Sequence, residues 1–300
     1  MTGDPTFDGM RKIAAGFAEL LRLLTHDGET ERPKDERDVL VDRLRDALDR
    51  RLPSLADNAA FIGNTFLIEA VVYRNKRTEI SRLRHRDLGT FHAMKTLPVD
   101  RINDTIAREL LLREARIGMM LCGSNLVATQ CSLRLPDGRP AIIMPWVGPS
   151  LPQRLNTRSL CVAEVEAMAK SMLAGLSTIH RAGYVHGDVS PANLLVADGD
   201  IERLVISDFG TTLERGAHYR DLDIARAATT GFTAPEISGD TAMDFNTDIY
   251  SAGRTISLLL DHCHETGDTV TRLKTAARVF ASVDPSERPP DAMAALAIIK

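Results

Sequence analysis

The 300-residue chain carries 37 Lys and Arg against 41 Asp and Glu, is 44% hydrophobic and 26% charged, and has a formal net charge of −4. That balance excludes a disordered chain and gives no overall basic field for a nucleic-acid partner. Cys122, Cys131, Cys161 and Cys263 are scattered without metal-ligand or disulfide spacing, and no run approaches the roughly 18 apolar residues of a membrane span. The start, MTGDPTFDGMRK, lacks the apolar core of a secretory leader, so a reducing, cytoplasmic setting is expected. Delivery into another cell by a signal without an apolar core is left open.

In chain order, Met10, Ile13, Phe17, Leu20 and Leu24 recur at helical spacing. A charged segment, 27–38, reads as a solvated linker, and Leu40, Leu44, Leu48 and Leu52 form a second helical stripe stopped by Pro53. These apolar faces, within residues 10–52, are expected to be covered either by the body of the protein or by a regulatory partner. Strand-like runs follow as FLIEAVVY, EISRLRH and TFHAMKTL. A helix is expected from Asn103 to about Met120, with Ile106, Leu110, Arg113 or Glu114, and Ile117 turned to a sheet. VATQCSLRL and AIIMPWV flank PDGR, a hairpin signal. Beyond them the pattern is mostly helical, over 161–181 and from Asp248 to about His262, with short strands NLLVA and RLVIS between. A β-rich part followed by a helix-rich part puts a ligand cleft at their junction.

HGDVSPANLL at 186–195, SDFG at 207–210 and GFTAPE at 231–236 resemble, in order, the catalytic loop, metal loop and segment anchor of the eukaryotic-type protein kinases. MKTL upstream supplies Lys95, LLREARIG supplies Glu114 nineteen residues later, and DIYSAG and DPSERPP continue the likeness downstream. The resemblance implies an α+β, bilobal kinase-like fold: a helical extension at 1–60, a small antiparallel sheet lobe with one main helix at 61–147, and a larger helical lobe at 148–300. It also implies roles. Asp188 would take the proton of the incoming hydroxyl, steadied by Thr229; Lys95, paired with Glu114, would hold the α- and β-phosphates of ATP; Asn193 and Asp208 would hold Mg2+, with Mn2+ as a substitute. Glu109 is a rival partner for Lys95 with poorer spacing. Met144 would guard the adenine pocket, and Pro145, Trp146 and Val147 would offer it backbone groups. His186, Asp248 and the Glu236–Arg288 pair would be structural.

Four departures stand out. Where the family carries a glycine-rich loop over the nucleotide, this chain reads YRNKRT at 73–78, with no glycine. Arg74, Lys76 and Arg77 are candidates to replace that backbone cradle with side-chain charge, a solvated basic turn being the other reading. Gly187 stands where many members have arginine, which removes the usual clamp for an activating phosphate and points to order imposed from elsewhere. Ser190 stands where serine/threonine kinases usually have lysine, and Asp248 to Arg288 looks shortened.

The reading is a serine/threonine protein kinase transferring the γ-phosphoryl of Mg-ATP to a protein hydroxyl, with a protein substrate, no nucleic acid and no membrane span. A small-molecule phosphotransferase of the aminoglycoside or choline kinase type and a nucleotide-binding pseudokinase scaffold are the alternatives.

Overall fold

The computed structural model describes residues 5–49, 61–198, 200, 202–222, 229–239 and 241–299, with side chains undescribed at 5–14, 45–46, 48–49 and 221–222. Two compact units divide the chain: Met1–Ile68 with His85–Leu88, and Glu69–Arg84 with Gly89–Lys300.

The first unit holds helices α1 (Pro5–Thr25) and α2 (Lys34–Asp49), joined by a two-stranded hairpin that pairs His26 with Glu31 and Asp27 with Thr30. The expected linker is therefore shorter than 27–38, because Asp35 and Glu36 stabilise the first turn of α2 against the helix dipole. The apolar stripe is only partly covered: Leu20, Leu24, Leu40 and Leu44 are half-buried, whereas Phe17 is 69% exposed. Leu52 and Pro53 lie outside the described residues, as do the side chains of Met10, Ile13 and Leu48. Strand β1 (Phe61–Ile62) pairs antiparallel with Phe66 and Leu67. No periodicity announces a strand of two residues.

The second unit holds most of strands β2 (Phe66–Arg74) and β3 (Glu79–His85) and all of β4 (Phe91–Thr96), β5 (Cys131–Arg134) and β6 (Pro140–Pro145), which belong to a six-stranded sheet of order β1-β2-β3-β4-β6-β5. Register places Lys95 of β4 between Ile80 of β3 and Ile142 of β6. Helix α3 (Thr105–Met120) starts at Asp104, whose side chain accepts from the Ala107 N–H at 2.8 Å. Its buried face is Ala107, Leu111, Glu114, Ala115, Ile117 and Gly118; Ala107, Leu111 and Ala115 pack with Leu97 and Ile142, and Ile117 joins the helical core. Of the face expected through Ile106, Leu110, Arg113 or Glu114, and Ile117, Glu114 and Ile117 are buried, whereas nearer the start of the helix Ala107 and Leu111 take the buried places, Leu110 is half-buried and Ile106 is exposed. Residues 127–130 form no regular element, not the strand expected from VATQ; the Val127 N–H donates to the Ile206 carbonyl and the Gln130 N–H to that of Ile143.

The helical core is built on α4 (Val162–Arg181), with Val165, Met168, Ala169, Met172, Leu173, Leu176 and Ile179 all wholly buried. Around it pack α5 (Phe245–Asp261), α6 (Asp268–Phe280) and α7 (Ala292–Ile299). The crossing of α5 and α6 requires Gly253, where a Cβ would meet the Phe280 Cβ at 2.7 Å and the Ala277 carbonyl at 2.8 Å. Strands β7 (Leu194–Val196) and β8 (Leu204–Ile206) form a buried hairpin over this core and carry the segments that reach the site. Among the described residues, no helix is long and apolar enough to cross a membrane.

Candidate active site

Lys95 and Glu114 meet because α3 packs on the sheet at Ile142, the cross-strand partner of Lys95; Nζ lies 2.7 Å from Glu114 Oε1 and 2.8 Å from Asp208 Oδ1. All three are charged groups drawn from separate elements, so their juxtaposition depends on the whole sheet and helix packing. Burial alone would depress Lys95, but the carboxylates of Asp208 and Glu114 outweigh it and hold the ammonium above its ordinary range. Burial pushes the Glu114 carboxyl up to about 7, Lys95 pulling it back and Asp208 adding to the rise. Asp208 is half-buried, its side chain 43% exposed; partial desolvation would raise it, yet Lys95 and the Gly210 N–H hold it below the usual carboxylate range. Its φ of 66° is a left-handed conformation that a non-glycine residue keeps only when its surroundings impose it. Gly210 N–H donates to Oδ1 at 3.1 Å and supplies part of that constraint. Phe209, 3% exposed, anchors the next position in the helical core, edge-on to His186 at 5.9 Å.

Asp188 follows the strand pair Val185–Leu213. Its Oδ1 accepts from Thr229 Oγ1 and its Oδ2 from Asn193 Nδ2, both at 2.8 Å, so each oxygen has a fixed neighbour. Burial raises its pKa, with the Thr229 bond and His186 opposing and Asp208 adding to the rise. The loop that carries it is pinned from beneath by Asp248, which accepts the His186 N–H at 2.8 Å and the Gly187 N–H at 2.9 Å. His186 Nδ1 accepts the Asp188 N–H and Nε2 donates to the Ser207 carbonyl, at 3.3 and 3.1 Å. Both ring nitrogens are occupied by backbone, which suits bracing and not proton transfer.

Of the residues singled out near a nucleotide, Met144 is half-buried against Leu97 and Ile142 on one side and Val127, Ala197 and Val205 on the other. The Trp146 N–H bonds the Phe91 carbonyl at 3.1 Å and the Val147 carbonyl accepts the Asp198 N–H at 2.8 Å. Among the described residues, the Val147 N–H has no protein acceptor and remains the donor of this stretch. The glycine-free turn is closed by Asn75, whose Oδ1 accepts the N–H groups of Arg77 and Thr78 at 2.8 Å. Arg74 does not stand with its two basic neighbours: its Nε donates to Glu79 Oε2 at 2.6 Å. Lys76 and Arg77 are exposed. Ser190 is 1% exposed.

Two contributors carried no sequence signal. His180, from α4, donates through Nε2 to Asp248 at 3.1 Å while Nδ1 accepts from the Ala292 N–H. Tyr219 places its hydroxyl 3.2 Å from the Gly187 carbonyl. Their partners are far away in sequence, and nothing local distinguishes either from an ordinary core aromatic.

The donors present fit a hard divalent cation held largely by phosphate. Asn193 turns its amide nitrogen to Asp188, leaving its oxygen, and Asp208 retains Oδ2 beside the oxygen bonded to Lys95. Mg2+ is typically bound by one or two such protein oxygens plus substrate oxygens, not by a closed protein cage. Among the described residues there is no cluster of three or more His, Cys, Asp or Glu suited to a metal ion.

A family model described as the protein kinase domain matches residues 76–282. Serine/threonine-protein kinase PknJ of Mycobacterium tuberculosis is 28% identical over 209 residues, 69% of this chain and 35% of that protein. Serine/threonine-protein kinase PknL of the same organism is 29% identical over 216 residues, 70% of this chain and 53% of that protein. The chain thus spans about a third to about half the length of these relatives. The solved kinase domain of M. tuberculosis PknI is similar in fold, with a TM-score of 0.60 at 18% identity over 81% of this chain and 97% of that one. With more than two thirds of its residues inside the matched stretch, the chain belongs to the protein kinase domain family.

Proposed function

We propose that this chain is a serine/threonine protein kinase domain that transfers the γ-phosphoryl group of ATP to a hydroxyl of a protein substrate. The observation that carries the reading is Asp188, oriented through both oxygens by Thr229 and Asn193 while Lys95, Glu114 and Asp208 form a separate charged cluster. Asp188 orients the substrate hydroxyl and accepts its proton as the oxygen bonds to the γ-phosphorus. The bond from that phosphorus to the bridging oxygen breaks, and ADP leaves with the electron pair. Lys95 presents its ammonium to the α- and β-phosphates, and Glu114 keeps it aimed there. Asn193 and Asp208 would hold Mg2+, or Mn2+, which when bound neutralises charge on the phosphate oxygens. Met144 bounds the adenine site, and Trp146 and Val147 line it, with the Val147 N–H as donor.

In this reading residues 61–147 form the nucleotide lobe, 148–300 the substrate lobe and 1–60 an extension. The exposed Phe17, Leu21, Val39 and Val41 favour a partner surface within residues 10–52. A nucleotide-binding scaffold is the second reading, favoured by the uncharged, buried Ser190 and the glycine-free turn. The deciding experiment incubates the protein with γ-labelled ATP, Mg2+ and cell lysate, maps phosphosites, and runs α-labelled ATP beside it. Label on protein serine or threonine from the γ position alone supports the kinase; nucleotide binding without transfer supports the scaffold; label from the α position sinks both.

A further inference from the structure

The residue before Asp188 is Gly187, with φ at 81°, in a conformation costly for any side chain. A Cβ built there would lie 2.2 Å from the Tyr219 hydroxyl oxygen and 3.2 Å from the Thr211 carbonyl. The space that a larger residue would enter is therefore filled by the hydroxyl of a tyrosine thirty-two residues further on. That hydroxyl donates to the Gly187 carbonyl at 3.2 Å, while the Gly187 N–H donates to Asp248 Oδ1 at 2.9 Å. The Gly187 carbonyl belongs to the peptide group whose nitrogen is that of Asp188, so fixing it fixes the plane from which the Asp188 side chain departs.

Tyr219 is itself held. It is 5% exposed in a cluster with Val185, Leu213, Ala234, Ile237 and Met243. The chain before it is tied by the Gly216 N–H to the Met243 carbonyl at 2.8 Å and the Met243 N–H to the Ala217 carbonyl at 2.9 Å. Burial, with the nearby carboxylates of Asp248 and Asp188, holds the phenol well above its ordinary pKa, so it remains a donor. An arginine at this place would carry a buried charge and need an anion to satisfy it. A neutral hydroxyl needs only the carbonyl it already has.

We propose that Tyr219 is a positioning residue that latches the chain between Asp208 and Tyr219 onto the catalytic loop, holding Asp188 in its working orientation without a phosphate on any residue between Asp208 and Thr229. The proposal rests on the kinase reading for its rate consequences, but the latch itself is a structural contact that can be measured separately. The experiment uses the full chain after phosphatase treatment, with initial rates on a protein substrate identified by the lysate assay and amide hydrogen exchange read at residues 186–189. Dephosphorylated wild type should transfer phosphate without a lag. Tyr219→Phe should lower kcat about five-fold, the worth of one net hydrogen bond, with the KM for ATP within about two-fold of wild type and faster exchange over the loop. Gly187→Ala should cost more in the wild-type background than in Tyr219→Phe, because removing the hydroxyl relieves the collision while backbone strain stays the same. Wild-type kcat and exchange in Tyr219→Phe, additive losses in the double variant, or a lag abolished by prior autophosphorylation would each overturn the latch. Failure of wild type to transfer phosphate to any protein would overturn the kinase reading instead, and the exchange comparison would still decide the contact.

Discussion

Asp188 and Asp208 are both acidic and both buried or partly so, yet their surroundings pull them apart. Lys95 holds Asp208 ionised, whereas Asp188, which pairs with no lysine or arginine among the described residues, is raised by burial. A base near a reacting hydroxyl gains from being raised, and an oxygen donor to a cation gains from staying charged. Asp188→Asn should lower kcat by about 10²–10⁴-fold with ATP affinity little changed. Asp208→Asn should lower kcat and in addition weaken Mg-ATP binding in a titration. Retained turnover in either purified variant would remove its role. Thr229 offers a finer test, because its hydroxyl bond is one of the influences that lowers Asp188. Since a raised carboxyl is protonated at higher pH, transfer is lost as pH falls through its value. Removing the bond with Thr229→Val should therefore move the acid limb of the kcat profile to higher pH. A limb that stays in place would show that another group controls it.

At the scale of elements, the sequence was most legible where chemistry sits on short ordered motifs. HGDVSPANLL and SDFG supply Asp188, Asn193 and Asp208, and the structure brings Asn193 to Asp188 and Asp208 to Lys95. EISRLRH is strand β3 to the residue. The face of α3 was less legible, because Ile106 and Leu110 have the same four-residue spacing as Ala107 and Leu111, and only the sheet decides which pair is buried. The basic turn illustrates the same limit. Three cations lie within four positions, but Arg74 is on strand β2 opposite the buried Glu79 and pairs with it, which local sequence does not announce. Any replacement of the missing glycine cradle therefore falls to Lys76 and Arg77. Lys76→Ala/Arg77→Ala should raise the Kd for Mg-ATP by a few fold, an effect that shrinks in high salt because both side chains are exposed. Arg74→Ala should act chiefly on stability by leaving Glu79 buried without its partner. Unchanged Mg-ATP binding in the double variant would make the turn a solvated connection only.

At the scale of the molecule, Glu236 and Arg288 join two segments fifty-two residues apart in the helical part. The Arg288 side chain is wholly buried and all five of its N–H donors are used. Glu236 receives two bonds at 2.6 and 2.9 Å, and the carbonyls of Asn246, Val283 and Ser282 receive the others at 3.1, 3.2 and 2.8 Å. The guanidinium thus closes the chain after Pro285 onto the segment that follows Thr229 and onto the start of α5. Its truncation leaves a half-buried carboxylate with no cation and only the Thr247 hydroxyl at 3.4 Å as donor, and three carbonyls without the guanidinium donor, so Arg288→Ala should destabilise the protein by about 3–5 kcal/mol in denaturant unfolding. Arg288→Lys should recover little of this, because an ammonium cannot reproduce the planar fork that meets both Glu236 oxygens. A pair of apolar residues of similar volume at both positions should be less damaging than either single truncation, since it removes the orphaned charge along with its partner. If Arg288→Ala unfolds at the same denaturant concentration as wild type, the buried clamp contributes nothing to stability. Should stability fall while transfer per folded molecule stays constant, its influence on Asp188 ends at keeping the domain folded.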